Sequence, residues 1–208
     1  VAPYLDIVRA FNPPRELIPY PGSPLIARAL LRPQDRMVAC EIQDAARKEL
    51  ISNLSRDPQA RVVDLDGWTA LTAYVPPNER RGLALIDPPF EDKDEFSRLA
   101  EKFAAAYAKW PTGIYMLWYP AKERRGPERL ARDVASVAAA REGGNENCLR
   151  VEFSVAPQTA DSGLVSTGLL IVNPPWTLAS ELRTILPELE KPLGLGGAGR
   201  YRIETVRP

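Results

Sequence analysis

An acidic residue, two prolines and an aromatic ring, Asp87-Pro88-Pro89-Phe90, follow directly on the apolar run Leu83-Ala84-Leu85-Ile86. The exocyclic amine of a base such as adenine is a poor nucleophile, because its lone pair is delocalised into the ring. Two acceptors set on its two N–H bonds, the Asp87 carboxylate and the Pro88 carbonyl, would draw the nitrogen toward tetrahedral geometry and localise that pair for attack on a methyl group. Proline suits the position because its fixed φ holds the turn and it brings no competing N–H. Phe90 would stack on the base, a contact of roughly 1–3 kcal/mol, and the carboxylate would take up the proton released on transfer. Asp and Pro are also common turn residues. What favours chemistry is the expected position at the carboxyl end of a buried parallel strand, where such sheets bind ligands.

A look-alike, Asn173-Pro174-Pro175-Trp176, follows Leu169-Leu170-Ile171-Val172. It ends a strand near the chain terminus and leads into a helix with Thr177 near its start. Its expected role is strand exit and helix entry, with Trp176 helping to wall the substrate pocket.

Other candidates are weaker one by one. Glu41 ends an apolar run, the usual place for a partner to the ribose hydroxyls of a nucleoside cofactor. Asp66-Gly67 stands where a carboxylate would accept from the adenine amine of S-adenosylmethionine, although an ordinary helix N-cap reads the same. Ser23, in Pro21-Gly22-Ser23-Pro24, suits an N-cap with proline at the first helical position. Trp118-Tyr119-Pro120 ends the strand beside that of Asp87, so both rings are expected to line one cleft, with core packing the alternative for Trp118. Arg124, Arg125, Arg129 and Arg132 are the best local candidates for phosphate contacts, ahead of Arg80 and Arg81, with a solvated helix face the default reading of such charges. Gly194, Gly196, Gly197 and Gly199 follow a helix and precede a strand, the reverse of a nucleotide loop, and are expected to form a turn.

The elements that must position these residues alternate. Strands are predicted over Met37–Ile42, Arg61–Leu65, Gly82–Asp87 and Ile114–Tyr119. Helices are predicted through Ala45, Leu50, Ile51 and Leu54, from Gly67 to Tyr74, through Phe96, Leu99, Phe103, Tyr107 and Trp110, and over Arg129–Arg141. That rhythm implies a parallel sheet with helices on both faces. Leu149–Ala156 and Leu164–Val172 are expected to pair antiparallel, followed by a helix with Leu178, Leu182, Ile185, Leu186 and Leu189 and a strand near Tyr201–Val206. Pro13-Pro14 breaks the helical pieces before residue 20.

Composition narrows the chemistry. With 27 basic and 27 acidic residues, no net field draws a polyanion, so nucleic acid must be met by a local patch and by stacking. Histidine is absent and only Cys40 and Cys148 are present. A zinc site, a His-dependent triad and a disulfide framework are thereby disfavoured, and reduced thiols in the cytoplasm are expected. No apolar run approaches membrane-spanning length.

The strings Tyr20-Pro21-Gly22-Ser23-Pro24-Leu25-Ile26-Ala27-Arg28, Arg81 to Phe90, Leu117-Trp118-Tyr119-Pro120 and Ile171 to Trp176 resemble the bacterial RlmJ family across essentially the whole chain. The resemblance implies a Rossmann-like methyltransferase fold of class α/β, with a mostly parallel sheet and a C-terminal antiparallel hairpin. It implies transfer of a methyl group from S-adenosylmethionine to N6 of one adenine of 23S ribosomal RNA, in protein-free or partly assembled form. The protein would be a cytoplasmic monomer with no metal and no membrane partner. Asp87 would be catalytic, together with Pro88, Pro89 and Phe90. Ser23, Glu41, Asp66, Gly67 and Asp87 would fall on cofactor positions, and Phe90, Trp118, Tyr119, Arg124 and Arg125 on substrate positions. Phe90 replaces a tyrosine often found there and keeps the ring. The family's first strand and Gly-rich loop have no counterpart here. Residues 1–18 are therefore expected to be a remnant of an inserted helical subdomain, and 19–208 the methyltransferase domain, N-terminally incomplete, with weak cofactor binding and little activity. DNA adenine-N6 methylation and a non-catalytic RNA-binding remnant are the alternatives.

Overall fold

The computed structural model describes residues 1–12, 16–140, 148–159 and 161–208. Pro13-Pro14 and Arg141, which figure in the predicted elements, lie outside the described residues. The chain divides into two compact units, Val1–Ala70 and Leu71–Pro208. Within the first unit, Tyr4 and Tyr20 share a hydrogen bond between their hydroxyls (3.1 Å), and the Asn12 side chain donates to the Pro19 carbonyl (3.0 Å) and accepts from the Ile18 N–H (2.8 Å).

The first unit contains helices α1 (Ala2–Ala10) and α2 (Ser23–Leu30), then strand β1 (Met37–Cys40), helix α3 (Asp44–Leu54) and strand β2 (Ala60–Val63). β1 and β2 pair in parallel, Met37 opposite Ala60 and Cys40 opposite Val63, a geometry that needs a crossover such as α3. Arg47 of α3 ties the crossover down by pairing with Asp44 (2.7 Å) and with Asp64 beyond β2 (2.8 Å). Both strands end before the predicted Ile42 and Leu65.

Helix α4 (Gly67–Tyr74) spans the division between the units. The second unit holds β3 (Leu83–Ile86), α5 (Glu95–Lys109), β4 (Ile114–Pro120), α6 (Arg125–Ala139), β5 (Cys148–Ser154), β6 (Ser166–Val172), α7 (Leu178–Leu193) and β7 (Arg200–Thr205). The sheet order is β3-β4-β6-β5-β7. β3 and β4 are parallel, whereas β6 is antiparallel to both β4 and β5, and β7 to β5. The predicted pairing of the last two long runs is present. The antiparallel part is larger than one hairpin, because β7 extends it.

The alternation of β4 sorts the core. Tyr115, Leu117 and Tyr119 are buried on one face, where Phe103 and Tyr107 of α5 set their rings against Tyr115 at 5.3 and 6.0 Å. On the other face Leu149, Val151, Ile171 and Leu186 form a cluster that reaches Ile114 and Met116 of β4. The cluster does not include Leu83 or Leu85. Both are exposed on β3, which pairs only with β4 among the described strands. The strand expected to be buried lies, among the described strands, at the edge of its sheet.

Helix α6 begins at Arg125, four residues before its predicted start. Gly126-Pro127 reads as a breaker in sequence, but proline is tolerated in a first turn, where the N–H has no intrahelical partner.

Candidate active site

Asp87 to Phe90 leave the carboxyl end of β3. Ile86 lies opposite Leu117, so the loop emerges at the end of the sheet to which β4 delivers Trp118, Tyr119 and Pro120. Asp87 is exposed, Pro88 buried, Pro89 exposed and Phe90 half-buried. Although Asp87 is exposed, desolvation by surrounding protein atoms pushes its carboxyl above the ordinary aspartate value. Phe90 has φ +53°, in the left-handed region that non-glycine residues seldom adopt. Such backbone strain concentrates where a side chain must be aimed. The Phe90 ring lies 5.9 Å from that of Trp118, edge-on at 63°, and 4.8 Å from Phe96.

Tyr119 does not share this cleft. Successive strand residues point to opposite faces, and Tyr119, 0% exposed, is turned into the core. Its hydroxyl donates to Glu152 Oε1 (3.0 Å) and accepts from Arg150 Nε (3.0 Å). The ring lies over Gly168, where a Cβ would come within 2.2 Å of it. Expected as a substrate contact, Tyr119 instead belongs to a buried ionic network. Arg150, 2% exposed, pairs there with Glu128 (3.0 Å) and Glu152 (2.5 Å).

Arg124 and Arg125 are exposed at the start of α6, and neither forms an ion pair among the described residues. Cations at a helix N-terminus oppose the macrodipole, so this placement does not serve the helix. Arg129 is engaged with Asp133 at 3.6 Å.

The look-alike tetrapeptide sits at the opposite end of the sheet. Val172 lies opposite Tyr115, near the start of β4. The Asn173 amide donates to the carbonyls of Pro111 (2.9 Å) and Gly113 (2.8 Å), which stabilises its own φ of +54°. Asn173 thus anchors a strand exit, as expected. Trp176 is 93% exposed. Walling the pocket is ruled out for it, because β6 runs antiparallel to β4 and carries Trp176 away from Asp87.

Glu95, unnoticed in sequence, is the first residue of α5 and only 3% exposed, with Oε1 lacking a hydrogen-bond partner. Burial pushes its carboxyl up. The helix N-terminus offsets part of that cost, and an acidic residue just after Asp94 was its only sequence signal.

In the first unit, Glu41 follows β1 and its Oε1 accepts from the Gln43 N–H (2.7 Å). Asp66 caps α4, accepting from the N–H (2.8 Å) and hydroxyl (2.9 Å) of Thr69. A Cβ built at Gly67 would meet nothing within 4 Å, so the backbone there is open to approach. Ser23 is the first residue of α2 and exposed. Gly22 is the N-cap, and Ser23 makes no capping hydrogen bond. Two carboxylates just past the ends of adjacent parallel strands, beside an open glycine, fit the hydroxyls and amine of a nucleoside. A shallow concavity lined by Ser52, Asn53, Ser55, Arg56, Asp57 and Pro58 contains none of these residues. Among the described residues no group of three or more His, Cys, Asp or Glu side chains is placed to hold a metal ion, and no helix is long and apolar enough to cross a membrane.

The class of protein, a Rossmann-like methyltransferase, is shown by its relatives. The chain belongs to the family described as ribosomal RNA large subunit methyltransferase D, RlmJ, whose model matches residues 1–206. It is 37% identical over 205 residues to ribosomal RNA large subunit methyltransferase J of Escherichia coli, covering 99% of this chain and 71% of that protein. The Haemophilus influenzae protein of the same name is 35% identical over 209 residues, covering 100% and 72%. A crystal structure of a Legionella pneumophila protein superposes with a TM-score of 0.87 at 31% identity, over 99% of this chain and 73% of that one. A probable spermidine synthase from Corynebacterium glutamicum shares the fold at a TM-score of 0.50 and 18% identity, over 87% and 63%.

Proposed function

We propose that this protein transfers a methyl group from S-adenosylmethionine to N6 of an unpaired or flipped adenine in 23S ribosomal RNA. The observation that carries this reading is the pose of the Asp87–Phe90 loop, with a carboxylate at a strand's carboxyl end and, three residues on, a ring held at positive φ against Trp118. When bound, the donor supplies a methyl group on a positively charged sulfur. Asp87 and the Pro88 carbonyl accept the two amine hydrogens and localise the nitrogen lone pair. Asp87 would take the proton that the nitrogen sheds on gaining the methyl group, a task favoured by a carboxyl that holds protons more readily than an ordinary aspartate.

Phe90 and Trp118 give the base an apolar wall, and Arg124 and Arg125 face the backbone phosphates. Pro89 fixes the loop between acceptor and ring. Glu41 takes the ribose hydroxyls of the donor, Asp66 its adenine amine, and Gly67 lets the backbone approach. Ser23 is a further cofactor contact. The protein acts as a monomer in the cytoplasm, on RNA not yet covered by ribosomal proteins.

The test is methyl transfer by the full-length protein to protein-free 23S RNA and to duplex DNA of matched adenine content. Preferential labelling of the RNA supports the reading. Equal or greater labelling of the DNA contradicts it.

A further inference from the structure

Phe90 stands on a backbone that side chains rarely adopt, so its ring must be held by its neighbours. Beside Trp118, the neighbour is Phe96 in the first turn of α5, with centroids 4.8 Å apart and planes at 55°, a favourable tilted geometry. Phe96 in turn rests on the first turn of α6. A Cβ built at Gly126 would lie 2.7 Å from Cδ2 and Cε2 of Phe96. Only glycine lets the ring come so close, although it is otherwise a poor helix residue. The contact runs from Gly126 through Phe96 to Phe90 and joins three separate elements. Gly126 also directly follows Arg124 and Arg125, so the same packing fixes the start of the helix that carries those cations.

We propose that Phe96 and Gly126 are positioning residues for base recognition: they set the pose of the Phe90 ring, and its distance from the phosphate-facing arginines, without touching the substrate. This rests on Phe90 being the stacking ring. Phe96→Leu removes the ring but keeps apolar bulk, Phe96→Tyr keeps the ring, and Gly126→Ala drives a methyl group into it.

The test measures, in the full-length protein, the affinity for a protein-free 23S RNA fragment without donor, and kcat and KM for methyl transfer. Asp87→Asn is measured in parallel. Phe96→Leu and Gly126→Ala should each weaken RNA affinity and raise the RNA KM by about tenfold, within the range of a lost base stack. Phe96→Tyr should stay within about twofold of the parent, and the KM for donor should not move. Parental RNA affinity in both Phe96→Leu and Gly126→Ala would overturn the proposal, as would a loss in Phe96→Tyr equal to that in Phe96→Leu. If Phe96→Leu does not fold, Gly126→Ala against Phe96→Tyr decides alone. An active Asp87→Asn would overturn the site assignment and this inference with it. An inactive Asp87→Asn beside parental Phe96 and Gly126 variants would overturn this inference only.

Discussion

Desolvation pushes the Asp87 carboxyl up, and that has two measurable consequences. Because its carboxyl is pushed up, the rate of methyl transfer should fall on acidification at a pH above that of an ordinary aspartate, as the acceptor becomes protonated. The sign for stability is the opposite. A carboxyl whose folded value is raised disfavours the fold when ionised and relieves it when protonated. Asp87→Asn should therefore melt slightly above the parent at neutral pH, a difference that shrinks as pH falls through the raised value. A thermal-melt series against pH checks both the direction and its disappearance. Residue types mark the candidate site: Asp87 and Phe90 stand out in sequence because carboxylate, prolines and ring fall in consecutive positions. The place of Tyr119 is not legible from its adjacency to Trp118, because neighbouring strand residues face opposite ways. Glu95 was invisible, since burial of a helix-start glutamate is a property of packing alone.

The start of α6 concentrates the charge that matters at the scale of elements. Arg124 and Arg125 work against the helix macrodipole and have no acidic partner among the described residues. Replacing both with glutamine should weaken RNA binding at low salt and make the slope of log affinity against log salt shallower by about 1–2. The helix itself should lose nothing, by far-UV circular dichroism. One turn on, Glu128 is bound into the network around Arg150. Burial alone would raise its carboxyl, but hydrogen bonds from Arg202 and Arg150 outweigh that and hold it below the ordinary value. Its contribution to stability is thus present above the ordinary glutamate value and lost as pH falls through the lowered one. Arg150→Ala strands Glu152 and the Tyr119 hydroxyl without their buried cation. It should cost on the order of 3 kcal/mol in denaturant unfolding, whereas a loss under about 1 kcal/mol would mean that water replaces the guanidinium. Helix periodicity revealed α5 and α7, while the true start of α6 was hidden by Gly126-Pro127. The arginine network was equally hidden, because Arg150 sits within an apolar strand pattern that carries no trace of its partners on α6 and β7.

For the molecule as a whole, the alternation of strands and helices was enough to give the α/β class and the antiparallel pairing of β5 with β6. It was not enough to give the division at Ala70–Leu71, or the edge position of β3, since both depend on which strands find partners rather than on local pattern. The opposite placement of the two Pro-Pro tetrapeptides is also a topological fact. It follows from β6 running antiparallel to β4, and it is consistent with the proposed role of Asp87-Pro88-Pro89-Phe90 as the loop that acts on an amine. Membership of the RlmJ family fits that assignment. The most direct test is nucleoside analysis of 23S RNA after reaction with full-length parent and Asp87→Asn proteins and labelled S-adenosylmethionine. The expected result is label in N6-methyladenosine at a single site with the parent, reduced at least a hundredfold in Asp87→Asn. Label on a ribose or a ring carbon, or equal labelling by Asp87→Asn, would contradict it.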